Sequence, residues 1–269
     1  MRVLQIATAV GDAELAADRL WQAGARAVEE VVLPDGRIGA RSVLALDDAV
    51  SAARLGPLPA EWTVEWIEVP DAPSEAWRQF AAPVEVGDRL VLRPAWLPEI
   101  ADGRLEIAIE PGGSFGLGDH PTTRLSAGAV TRLATPGCTV LDVGCGSGVL
   151  AIAAVRLGAA RAVGIDIAEA AVEATRANAA RNGVDGRVEA SSTPIALVTG
   201  SFDLVLANVL APTIVAMADD LRRVLAPGGS LVVSGVLAGA HEHVLAALRP
   251  LVPVRTDVVD AWAAVELRA

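Results

Sequence analysis

The sequence predicts an α/β chain: a doubly wound, largely parallel sheet whose last strand runs antiparallel, preceded by a small α+β domain. Three observations carry this. From residue 125 onward, helical and strand-like apolar patterns alternate, as a parallel sheet with crossover helices requires. Residues 141–166, LDVGCGSGVLAIAAVRLGAARAVGID, read as a strand, a glycine-rich turn, a helix and a second strand that stops on an acid. Before residue 70 the elements run β-α-β-β-α-β, the order of a ferredoxin-like domain. A chain of 269 residues has room for both parts, with predicted boundaries at 1–69, a linker over 70–84 and a second domain over 85–269.

In the first part, apolar alternation predicts strands over 3–8, 27–33, 37–46 and 62–69 and helices over 12–23 and 47–55. Pro34, Asp35 and Gly36 turn the chain between the second and third strands. Pro70, Pro73 and Pro83 then mark a connector that carries Trp77 and Phe80. Strands over 86–92 and 105–109 lead into the loop 110–123. Residues 139–143 are β-branched and apolar enough for a buried parallel strand, 149–157 form a helix, and 168–180 form another that stops at Asn182 and Gly183. A strand over 202–207, a helix over 212–225, a Pro227-Gly228-Gly229 turn and a strand over 230–236 follow. The segments 252–259 and 261–267 close the sheet as an antiparallel hairpin.

Composition excludes several function classes. The net charge is −11 and the arginines are scattered, so the basic stripe of a nucleic-acid binder is missing and a basic protein partner fits better. Cys138 and Cys145 are the only cysteines, too few for a disulfide framework, and Cys145 falls in the glycine turn as a small buried spacer. No charged leader with an apolar core follows Met1, and Arg156, Arg176 and Arg222 interrupt the apolar helices before any could span a bilayer. A cytoplasmic chain with no membrane association is the expectation. His120 lies in a loop, while His241 and His243 diverge on one helix, so no metal site is expected. Trp21, Trp62, Trp66, Trp77, Trp96 and Trp262 are scattered and read as packing residues rather than a platform for bases.

The glycine turn carries the chemistry. Gly144, Gly146 and Gly148 leave bare backbone where a ligand can lie against the strand ends, and the following helix points its N–H groups at it. Asp166 ends the next strand, where a carboxylate can accept hydrogen bonds from both ribose hydroxyls. A dinucleotide fingerprint would have its third glycine where Val149 stands. The G-x-G-x-G form opened by Asp142 instead resembles motif I of class I S-adenosylmethionine-dependent methyltransferases. Downstream, the strand over 202–207 delivers Asn208 to the carboxyl edge of the sheet. Methyl transfer to an amine is an in-line displacement, and the Asn208 side-chain carbonyl, with neighbouring backbone carbonyls, can hold the N–H bonds of an uncharged amine without taking its proton. The competing role for Asn208 is a cap on the helix at Pro212. Upstream, the loop PGGSFGLGDHPTT (111–123) is too glycine-rich for core. Thr122 and Thr123 can cap the next helix or bond a cofactor, Phe115 can stack near the methyl donor, and the glycines would let the loop close as a lid.

These segments together resemble a known family, the bacterial ribosomal protein methyltransferases called PrmA, which modify the large-subunit stalk-base protein. EAWRQFAAPVEVGDRLVLRPAW looks like its Trp-containing linker, EPGGSFGLGDHPTTRL like its glycine-rich loop, LDVGCGSGVLAIAAVRLGAARAVGIDI like its cofactor motif and ANVLAP like its Asn-x-Leu-Ala motif. The resemblance implies a Rossmann-like class I methyltransferase sheet with an antiparallel last strand, preceded by a ferredoxin-like substrate-recognition domain. It implies methylation of lysine side chains and an N-terminal amine of a ribosomal protein. It also puts Thr123, Gly144, Asp166 and Asn208 on positions that contact S-adenosylmethionine. Phe115, Thr122, Asp142, Gly146 and Ser192 complete the expected cofactor site. Leu117 departs from the family's usual threonine, and Ser191-Ser192 offers no acid for the adenine amino group, which leaves that role to backbone groups or Ser192.

The acids Asp12, Glu14, Asp18, Glu29, Glu30, Asp47 and Asp48 suit the first domain to a basic ribosomal protein. Lysine is absent, and all 22 basic residues are arginine; a coding bias explains this more cheaply than protection of a lysine-modifying enzyme from itself. The alternatives are methylation of another protein or a small-molecule amine, a non-catalytic S-adenosylmethionine-binding protein, and, remotely, a dinucleotide oxidoreductase.

Overall fold

The computed structural model describes residues 2–23, 25, 28–42, 55–68, 78, 81–111 and 117–269. Its contacts divide the chain into two units, Met1–Ala81 and Ala82–Ala269.

In the first unit, β1 (Arg2–Thr8), β2 (Glu29–Val32), β3 (Ile38–Ser42) and β4 (Thr63–Glu68) form an antiparallel sheet in the order β2-β3-β1-β4. That is the ferredoxin-like strand order. α1 (Ala13–Gln22), entered by a 3-10 turn at Val10–Asp12, buries Ala16 and Leu20 with Leu4, Ile6 and Ala40 of the sheet. Gln5 bridges its neighbours, accepting from Arg41 Nε at 2.6 Å and donating to Glu65 at 2.8 Å. The strand expected over 3–8 is found at Arg2–Thr8 and the one expected over 27–33 is shorter, Glu29–Val32; residues 43–46 and 69 of the other two, and 47–54 of the expected helix over 47–55, lie outside the described residues, as do Trp77 and Phe80. Among the acids named above, Asp12 accepts from the Trp62 indole and Glu30 is exposed; Asp47 and Asp48 fall outside the described residues.

The second unit opens with β5 (Val84–Val86), β6 (Leu90–Pro94) and β7 (Leu105–Ile109), in which β5 and β6 form a hairpin and β7 lies parallel to β6. The single strand expected over 86–92 is thus two, because Gly87 turns the chain at φ +58°. Arg93 and Glu106 pair at 2.8 Å across this sheet, and Glu106 accepts the backbone N–H groups of Ile100 and Ala101, which fastens the connecting loop.

The main sheet has the order β10-β9-β8-β11-β12-β14-β13. Its strands are β8 (Thr139–Val143), β9 (Arg161–Ile165), β10 (Val188–Ser191), β11 (Phe202–Asn208), β12 (Leu225–Leu237), β13 (Val252–Val259) and β14 (Trp262–Arg268). The first five are parallel, and β14 runs antiparallel between β12 and β13. The central strands are buried on both faces, so alternate residues enter different cores: Val140, Leu204, Leu206 and Val232 on one side, Leu141, Val205, Ala207, Leu231 and Val233 on the other. The first side is covered by α2 (Pro121–Leu133) and α3 (Val149–Arg156), and it also receives Ala179 of α4 (Glu169–Arg181). The second side takes α5 (Ala211–Ala216), α6 (Ala218–Arg223) and α7 (Glu242–Ala247). The helix expected over 212–225 is therefore two short helices broken at Met217 (φ −100°, ψ 7°), and Leu225 already belongs to β12.

α4 also completes β7. A strand repeats its pairing groups every two residues, about 6.6 Å, and a helix brings residues i and i+4 about 6 Å apart along its axis. Asn178 and Asn182 use this match. Asn182 accepts from Ala108 N (2.9 Å) and donates to Ala108 O (2.8 Å), and Asn178 does the same with Glu110 N and O, both at 2.9 Å. Two carboxamides thereby stand in for a neighbouring strand. Asn182→Ala is expected to strand the Ala108 amide and carbonyl and lower stability by about 2 kcal/mol; an unchanged denaturant midpoint would contradict this pairing.

Candidate active site

Four strand ends meet at the carboxyl edge of the sheet. After β8 the chain turns through Gly144, Gly146 and Gly148, all at positive φ (72°, 54° and 79°). The turn is pinned to the next strand, with Gly144 N and Cys145 N donating to Ile165 O at 2.8 and 3.1 Å. At Gly148 an added Cβ would lie 2.7 Å from the Thr175 methyl, so this corner admits only glycine. Thr175 Oγ1 in turn donates to Gly146 O and lies 3.3 Å from Cys145 Sγ. Burial first, then the Asp142 charge, pushes the Cys145 thiol up to about 12, which makes it an inert spacer.

Asp166 follows β9 and is half-buried; it accepts from Gly146 N through Oδ2 and from Ala168 N through Oδ1, both at 3.0 Å. These bonds orient the carboxylate against the turn. Next to it Ile167 is 98 % exposed, an apolar surface suited to a nucleoside base that the sequence reading missed. An isoleucine at a strand end reads as core, so no pattern marked it. Ser192 lies exposed just beyond β10, beside the hydrogen-bonded pair Ser191 and Thr193.

Asp142 behaves differently from the expectation that it faces the ligand. It is buried, and its Oδ2 accepts the Ala151 N–H inside α3 at 3.1 Å. The carboxylate thus caps the helix under the turn.

At the start of α2 the cap is His120 rather than a threonine: its ring Nδ1 accepts from Thr122 N (3.3 Å) and lies 2.8 Å from Thr122 Oγ1. Burial lowers the His120 pKa, which keeps Nδ1 free to accept, and the ring meets Trp262 edge-on at 5.3 Å. Thr123 is different. Its hydroxyl is buried and has no hydrogen-bond partner among the described residues, an arrangement that fits a polar group of a bound ligand. Leu117 packs half-buried on the core, and Phe115 lies outside the described residues.

Asn208 ends β11. The register pairs Ala207 with Val143 on one side and Asn208 with Ser234 on the other, so the carboxamide emerges beside the glycine turn. It does not cap α5, whose N-cap is Leu210, and no described residue bonds its side chain. Ser234, also missed from sequence, joins the parts: it is fully buried, and its one hydroxyl proton lies between Thr122 O and Ala263 O, at 3.4 and 3.3 Å from Oγ. Among the described residues no three His, Cys, Asp or Glu side chains gather as a metal site would need.

Residues 39–269 match the family model for the ribosomal protein L11 methyltransferase, PrmA. The chain belongs to this family. It is 49 % identical over 170 residues to the ribosomal protein L11 methyltransferase of Geobacter metallireducens, covering 63 % of this chain but 56 % of that protein. Against the Symbiobacterium thermophilum relative of the same name the figures are 42 % over 223 residues, 81 % of this chain and 72 % of that one. The solved ribosomal protein L11 methylase of Lactobacillus delbrueckii subsp. bulgaricus superposes with a TM-score of 0.65 at 29 % identity, over 70 % of this chain and 98 % of that one. The Asn208-Val209-Leu210-Ala211 segment and the glycine turn after β8 therefore lie together at the edge of a class I methyltransferase sheet.

Burial raises the Asp142 carboxyl to about 7, opposed by the Ala151 N–H and reinforced by Asp166. An unfolded aspartate ionises near pH 4, so the native state holds the extra proton, and this contribution to stability is full below about pH 4 and lost as pH rises to about 7. Asp142→Asn keeps an acceptor for Ala151 and cannot ionise. Its melting temperature is expected to gain on the parent's between pH 4 and 8, and parallel pH profiles in thermal melts would contradict the assignment.

Proposed function

We propose that this chain is a protein methyltransferase that uses S-adenosylmethionine to methylate amino groups, lysine side chains and an N-terminal amine, of ribosomal protein L11. The observation that carries the reading is Asn208, an unbonded carboxamide at the strand end beside the glycine turn. Family membership supports the ribosomal substrate.

The residues present fit the cofactor. Thr123 has a buried hydroxyl without a partner, Asp166 holds a carboxylate against the turn, and Ile167 exposes an apolar side chain next to it. When bound, S-adenosylmethionine supplies an electrophilic methyl on a sulfonium. Thr123, the backbone of Gly144 and Gly146, and Asp166 would hold it, with Ile167 and Ser192 flanking the base. Phe115 and Thr122 belong to this reading as residues of the loop and helix start.

The protein's task is then to present the amine. An ammonium has no lone pair, so the acceptor must lose its proton to solvent before it reacts. The Asn208 carbonyl accepts an N–H of the neutral amine and aims its lone pair, and being uncharged it does not favour the ammonium as a carboxylate would. Orientation of this kind supplies much of the rate of a displacement.

The first unit is the substrate-recognition part of this proposal, with its own core and an acidic balance suited to a basic protein. Direct nucleic-acid binding has no role in it.

Purified chain is expected to transfer labelled methyl to ribosomal protein L11. Asn208→Ala should lower kcat about 100-fold, more than it weakens cofactor binding, whereas Thr123→Val should weaken cofactor binding about tenfold. Label appearing only on other amines would overturn the substrate, and full turnover by Asn208→Ala would overturn the acceptor site.

A further inference from the structure

We infer that Gly235 is a positioning residue for methyl transfer, holding Asn208 in place by admitting the Asn208–Val209 segment into the space a side chain would fill. The inference rests on the acceptor role of Asn208 proposed above.

β12 is regular against β11 from Ser230 through Ser234, which pairs with Asn208. Immediately afterwards its pairing with β14 slips between Val233 and Val236, and Gly235 sits in this bulge at φ +82°. A Cβ on Gly235 would lie 2.5 Å from Val209 O, 2.9 Å from Val209 C and 3.3 Å from Val209 N. Those are backbone atoms, which cannot rotate away. The opposite side of Val209 is equally close: a Cβ on Gly144 would overlap Val209 Cγ1. Val209 is therefore wedged between a glycine of the cofactor turn and a glycine of β12. It acts as the spacer between the donor side of the site, Gly144, and the acceptor side, Asn208. In-line displacement tolerates little misplacement; about 1 Å can cost 100-fold in rate.

β12 contains its own control. Gly228 has nearly the same φ, +76°, with nothing within 4 Å of an added Cβ. Gly228→Ala carries the strain of an alanine at positive φ without touching Val209.

The experiment measures kcat on ribosomal protein L11, S-adenosylmethionine affinity by calorimetry and melting temperature for Gly235→Ala, Gly228→Ala, Val209→Ala and Asn208→Ala. Both glycine variants should melt lower than the parent. Gly235→Ala should lose about 100-fold in kcat and Val209→Ala about tenfold, each with cofactor affinity within about threefold of the parent. Gly228→Ala should keep the parental kcat. Val209→Ala adds no backbone strain and decides the matter if Gly235→Ala does not fold. Parental kcat in folded Gly235→Ala or in Val209→Ala, with Asn208→Ala inactive, overturns the inference alone. So does a loss of cofactor affinity that matches the loss of kcat, since Val209 would then support the turn only. Parental kcat in Asn208→Ala removes the acceptor reading and this inference with it.

Discussion

The second unit depends on one constraint: β8 and β11 lie side by side, parallel and buried on both faces. A parallel pair leaves its strands' carboxyl ends together at one edge, where the last backbone groups have no further strand to bond. The register of Ala207 on Val143 then decides which residues emerge together, Gly144 from one strand and Asn208 from the other. A slip of one residue would turn every core side chain of β11 to the wrong face, so the packing of Leu204, Val205, Leu206 and Ala207 enforces the geometry of the site. Stability and positioning here have the same cause.

What surrounds the edge is held by polar groups that bond backbone rather than each other. Asn178 reaches Glu110, the residue before Pro111 and the glycine-rich loop, and with the same nitrogen bonds Ser147 O in the cofactor turn at 2.9 Å. The root of the loop and the turn are thus tied by one buried carboxamide. Arginine does similar work elsewhere. Arg223 donates to Val198 O and Ile195 O, and Arg176 to Ala190 O. A guanidinium can reach two acceptors at fixed angles, which a lysine ammonium does less well. A composition without lysine therefore leaves these fastenings intact.

The fold was legible because its signals are local. Glycines at positive φ, runs of apolar β-branched residues and prolines between elements all follow from the backbone's own sterics, and they located the strands of the main sheet other than β10 and the start of β12. The misjudged elements depended on tertiary context. Nothing apolar is missing between Pro212 and Leu225, yet the helix breaks at Met217 and Leu225 joins the sheet through its pairing with Phe202. In the site, Asp166 and Asn208 were visible as polar residues at strand ends. Asp142 was seen as part of the cofactor site, but its bond to the Ala151 N–H was not, because the period of a strand says which face a residue occupies and not which N–H it meets. Ser234 and Asn178 went unseen, since each acts through neighbours distant in sequence, and Ile167 went unseen because an isoleucine at a strand end reads as core.

The donor and acceptor halves of the site share one frame. Ser234 is paired with Asn208 across β11 and β12, and its hydroxyl lies between Thr122 O at the start of α2 and Ala263 O in β14. The Thr123 hydroxyl and the Asn208 carboxamide are therefore both one residue, or one strand pairing, from the same buried serine. Such a frame cannot bring the two sites together by closing, because they are already fixed to each other. In the proposed reading, the first unit recognises the protein substrate while the sheet keeps the distance that the displacement needs.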